Sequence, residues 1–91
     1  MKEILSKTID PDAPLEGQEF YQLRLFEENN HLGKRHGVLQ IHAVCKYAFR
    51  GPQWESEELD YFWIPDEAKK RYEERRRTLA EQGFIYSNMN W

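Results

Sequence analysis

Ninety-one residues make one domain's worth of chain, 40% apolar and 32% charged. Three Trp, five Tyr and five Phe are too many for an intrinsically disordered segment and exclude that class. A net charge of −3 and a pI near 5.6 argue against a general polyanion binder, and no stretch approaches the ~20 apolar residues of a membrane span.

The N-terminal Met1-Lys2-Glu3-Ile4-Leu5-Ser6 has no apolar run behind its lysine, so it does not read as a signal peptide. Residues 2–9 are mixed enough for a short strand. Residues 10–17 hold Pro11 and Pro14 and end in Gly17, and are expected to form a Pro-rich loop, because proline forbids regular helix and central strand. From 18 to 28 the pattern alternates. Tyr21, Leu23 and Leu25 share one face, and Phe20, Gln22, Arg24 and Phe26 share the other. The segment Glu19-Phe20-Tyr21-Gln22-Leu23-Arg24-Leu25 resembles the opening strand of WGR-type domains. The Trp-Gly-Arg signature of that family is absent from the chain, which is assigned to no family.

Residues 29–37 carry two Asn and two Gly and are read as a polar loop. Residues 38–49 give the cleanest strand signal. Leu39, Ile41, Ala43, Cys45, Tyr47 and Phe49 form an apolar face, opposite Val38, His42 and Val44. The strands 18–28 and 38–49 are expected to pair as an antiparallel hairpin. Arg50-Gly51-Pro52 is expected to break the second strand. An acidic stretch follows, with Trp54 among Glu55, Glu57, Glu58 and Asp60, and then a short aromatic strand, Tyr61-Phe62-Trp63-Ile64.

Pro65 suits the first turn of a helix, Asp66 and Glu67 suit its dipole, and Gly83 reads as its stop, which predicts a helix over 66–82. Its apolar stripe is Ala68, Tyr72 and Leu79, with Ala80 at the edge. Pairs at i,i+4 (Asp66–Lys70, Glu67–Arg71, Glu73–Arg77) are expected to add ~0.2–0.5 kcal/mol each. Phe84-Ile85-Tyr86 reads as a last short strand and 87–91 as a tail. The whole is a single α+β domain of three to five antiparallel strands with one helix on one face, in the order β-β-β-α-β.

Four constellations invite a functional reading. His42-x-x-Cys45 has suggestive spacing for a metal, but strand positions three apart face opposite ways, so no metal or cofactor is expected. His31, Lys34, Arg35 and His36 form a basic loop that a toxin-type ribonuclease would use, against the plainer reading of a solvated hairpin tip. Lys69, Arg75 and Arg76 flank the helix stripe as candidate nucleic-acid contacts. Five acids share the 61–91 segment with six bases, so a salt-bridged solvent face is the simpler account. The fourth is the surplus of rings, Phe20, Phe26, Trp54, Phe62 and Trp63, which one helix cannot cover.

That surplus, with the acidic stretch, predicts a small non-enzymatic protein-binding module: a regulator, an adaptor or a phage-type inhibitor. Its partner is expected to be another protein or a second copy covering a face of Phe20, Phe26, Val38 and Val44. No catalytic residue is assigned, and nucleic acid is the second choice of partner. A lone Cys45 fits a reducing, cytoplasmic setting.

Overall fold

The computed structural model describes residues 1–9, 12, 17–47 and 51–87. Its elements are β1 (Lys2–Thr8), β2 (Gln18–Asn30), β3 (Gly33–Tyr47), β4 (Gly51–Phe62), α1 (Pro65–Glu81) and β5 (Ile85–Tyr86). The strands form one antiparallel sheet in the order β4-β3-β2-β1-β5. The α+β class and the single helix after the long strands are as the sequence implies. The acidic stretch and the start of the aromatic strand join in one full-length fourth strand, so the order is β-β-β-β-α-β. Most of 10–17, residues 48–50 and the tail 88–91 lie outside the described residues.

The largest departure from the sequence reading is the hairpin. Residues 29–37 are strand apart from a two-residue turn, not a loop. Asn30 pairs with Gly33, leaving His31 and Leu32 as a two-residue turn. The Leu32 amide donates to Asn30 Oδ1 at 2.8 Å, and Gly33 takes φ +131°, which a side chain would resist. Polar residues extend the ribbon because their charges alternate across it. Arg35 bonds Glu28, Lys34 reaches Glu27 at 3.5 Å, and His36 Nδ1 lies 3.5 Å from the same Glu27.

Turn length sets register, and register sets faces. Tyr21 pairs with His42 and Leu23 with Gln40, so an odd-numbered β2 residue meets an even-numbered β3 residue. Val38 and Val44 therefore share the face of Tyr21, Leu23 and Leu25. Leu39, Ile41, Ala43 and Cys45 share the face of Phe20 and Phe26. The expected partner-covered face of Phe20, Phe26, Val38 and Val44 does not exist as one surface, because it assumed the opposite parity.

The helix lies on the face of Tyr21, Leu23 and Leu25. Ala68, Tyr72 and Leu79 bury against Leu5, Leu23, Val38 and Phe84, with Tyr21, Leu25 and Phe62 packed around them. Pro65 starts the helix without a side-chain cap, and Gln82 closes it. Beyond the cap, the Gly83 amide donates to the Ala80 carbonyl (3.0 Å) and the Phe84 amide to the Leu79 carbonyl (3.0 Å), with Gly83 at φ +95°. That is a Schellman arrangement, and it drops Phe84 into the core beside Leu79. Phe84 meets Tyr21 edge-on, centroids 5.0 Å apart. Among the described residues, no helix is long and apolar enough to cross a membrane.

Candidate functional site

Two features of the sequence that pointed outward turn out to satisfy each other. On β4 the residues facing the helix are Ser56, Glu58, Asp60 and Phe62, opposite His42, Gln40, Val38 and His36. Arg75 grips Glu58 with both terminal nitrogens (2.7 and 2.6 Å) and approaches Asp60 at 3.4 Å. Arg71 Nε donates to Asp60 at 3.2 Å, and Arg76 Nε to Glu3 on β1 at 2.9 Å. The Arg75 side chain holds the Glu58 carboxyl below the usual glutamate range. Among the described residues none of the three expected i,i+4 pairs forms; Arg71, one of their expected members, turns to Asp60 of the sheet instead of Glu67.

Of the candidate nucleic-acid contacts, Arg75 and Arg76 are thus engaged with the sheet. Lys69 is exposed at the other end of the helix and makes no ion pair among the described residues. The three do not gather into a phosphate-binding face.

The histidines are also dispersed. His31 sits at the exposed hairpin tip, whereas His36 is buried on the helix side five residues away. His42 stacks on Tyr21 (4.6 Å between centroids) and lies between Glu19 (Nε2, 2.7 Å) and Glu55 (Nδ1, 3.4 Å), tying β2, β3 and β4 together. Burial, then the nearby Glu19, Glu55 and Glu58 carboxylates, push the Tyr21 hydroxyl above its ordinary value. Cys45 is buried on the opposite face with Ile4 and Phe20. Among the described residues no group of three His, Cys, Asp or Glu side chains could hold a metal ion.

The candidate site is the sheet face away from the helix, on the β4 side. Alternation along β4 turns Trp54, Glu57, Leu59 and Tyr61 to this outer face, where register sets them beside Ala43, Ile41, Leu39 and Gly37 of β3. A register shift between His42 and Ala43 makes Glu55 the extra residue of a bulge, which lets Trp54 face outward while Glu55 reaches His42. Trp54 is 55% exposed, Leu59 39% and Tyr61 41%, and Leu39 and Ile41 are half-buried beside them. Glu57 is exposed and has no ion pair among the described residues.

One corner of this surface is closely packed. A Cβ added at Gly37 would fall 2.7 Å from Cε1 and 2.8 Å from Cε2 of Phe26, so the Phe26 ring lies flat over the bare glycine. Phe26 meets Tyr61 edge-on at 6.3 Å, and the Arg35 guanidinium sits over the Tyr61 ring at 3.8 Å.

The five rings singled out from sequence therefore divide. Trp54 and Trp63 are exposed, Trp63 at 52%, just beyond the end of β4. Phe26 is half-buried at the edge of the outer surface. Phe62 packs toward the helix core, and Phe20 is 1% exposed in its own fold, so neither offers a surface to a partner. Leu59 and Tyr61 belong to the surface and were not among the five. Their period-two spacing with Glu57 was the signal, split between an acidic stretch and a separate aromatic strand starting at Tyr61.

No protein-family model matches the chain, and neither a curated protein nor a solved structure does.

Proposed function

We propose that the chain is a non-enzymatic protein-binding module that works through the outer surface of β4. The observation that carries this reading is the row Trp54, Leu59 and Tyr61, exposed on the outer face of an edge strand and followed by exposed Trp63. Covering one large apolar side chain is worth ~1.5–3 kcal/mol. Several left uncovered side by side are the usual mark of a contact surface. Aromatic anchors in a polar surround, here Glu57 and Arg24, are the composition that interfaces favour.

The test is capture from an extract of the native cell by wild type, by Trp54→Ser/Leu59→Glu and by Lys69→Glu. The reading expects a partner retained by wild type and Lys69→Glu and lost by the double variant. A partner lost with Lys69→Glu and kept by the double variant would overturn it.

A further inference from the structure

From the backbone and side-chain pattern of β4, we infer that this edge accepts an extended segment of another protein as a sixth strand, one that alternates apolar with basic residues. The inference rests on the reading of the β4 surface as a contact site and specifies the partner's chemistry.

β4 is the last strand on its side of the sheet, and among the described residues nothing pairs with its outward edge. Past Pro52 and the bulge at Glu55, the stretch from Ser56 to Phe62 presents a regular row of backbone donors and acceptors, the template that strand addition uses. Side chains of an added strand would lie beside those of β4 on each face in turn. On the outer face the neighbours are Trp54, Glu57, Leu59 and Tyr61, three of which select apolar residues. On the helix face they are Glu58 and Asp60, which select lysine or arginine. Both carboxylates keep exposed surface despite Arg75 and Arg71, the Glu58 side chain being 55% exposed. A period-two strand, apolar on one side and basic on the other, answers both rows.

The same pattern argues against a second copy at this edge. Gly51–Phe62 carries four carboxylates and no lysine or arginine. An antiparallel β4–β4 pair would set the acidic row of one chain against that of the other, and like charges placed directly opposite are destabilising. The edge is guarded against itself and open to a strand of opposite charge.

The probes are synthetic peptides of about ten residues, roughly the length of a long strand. One alternates valine with lysine, one valine with glutamate, and one is the valine–lysine peptide N-methylated at alternate residues. Binding is followed by tryptophan fluorescence and by amide hydrogen exchange. The valine–lysine peptide should bind and slow exchange across β4. N-methylation should weaken it by about tenfold or more, because backbone hydrogen bonds supply the affinity of strand addition. Asp60→Asn and Glu58→Gln should each weaken it severalfold with near-UV dichroism unchanged.

If the valine–lysine peptide fails to bind, or the valine–glutamate peptide binds as tightly, the inference fails. Equal binding of the N-methylated peptide, lost with Leu59→Ser, would overturn strand addition while leaving the outer surface a contact site. Protection of β4 amides in the pure protein at high concentration, with a dimer on sedimentation, would assign the edge to a second copy and also overturn it.

Discussion

Gln22 sits on the outer face between Ile4 of β1 and Ile41 of β3, 2% exposed. Among the described residues its side chain makes no hydrogen bond. A buried amide without a partner carries its full desolvation cost, on the order of 1–3 kcal/mol, and an apolar residue of similar volume carries none. Gln22→Leu is therefore expected to raise stability by about 1 kcal/mol, seen as a higher urea midpoint at unchanged slope. A lower midpoint would mean that the amide has a role the apolar side chain cannot fill.

At the scale of elements, the ends of the helix were legible and the faces of the hairpin were not. Pro65, the acidic first turn and Gly83 each act through local backbone chemistry, so the boundaries 66–82 lie within one residue of Pro65–Glu81. The stripe of Ala68, Tyr72 and Leu79 followed from spacing alone. The pairing of β2 with β3 depended instead on whether the turn held an odd or an even number of residues, which the polar composition of 29–37 did not reveal. What made those residues strand was cross-strand charge pairing, Glu28 with Arg35 and Glu27 with Lys34, which exists only once the register is set. The outer site was missed in part for the same reason: Leu59 and Tyr61 align only if 53–62 is a strand. The helix stop also yields a prediction. Gly83 holds φ +95°, and an added Cβ would meet only the Lys7 side chain at an ordinary contact distance of 3.6 Å, so the cost of a side chain there is backbone strain and not collision. Gly83→Ala should lower stability by about 1 kcal/mol, read as a lower melting temperature. An unchanged melting temperature would show that the Schellman turn is not needed to seat Phe84.

Across the whole molecule, one buried hydroxyl links the helix to the first strand and makes folding sensitive to alkali. Tyr72 is 1% exposed and donates to Glu3 Oε1 at 2.7 Å, and the same carboxylate accepts from Arg76. Burial, then the Glu3 hydrogen bond and charge, push this phenol well above its ordinary 10.0. The folded state keeps the proton where the unfolded chain releases it. The contribution is therefore fully present below pH 10.0 and is lost as pH rises beyond it. Stability measured by urea titration should fall on the alkaline side of that value. Tyr72→Phe should begin about 1–2 kcal/mol less stable and show a shallower alkaline decline. An equally steep decline in the variant would assign the sensitivity to another group.

The path of the helix has a consequence for synthesis. α1 leaves the β4 side of the sheet, and the Schellman turn then delivers Ile85 and Tyr86 to β1 on the far side, against Leu5 and Ser6. Synthesis makes β1 before, and β5 after, the other strands of this sheet. Until residue 86 emerges, the middle of β1 at Leu5 and Ser6 has no strand beside it on that flank, a sticky seam among the described residues. Completion of the fold is in that sense a zip fastened from the last tooth.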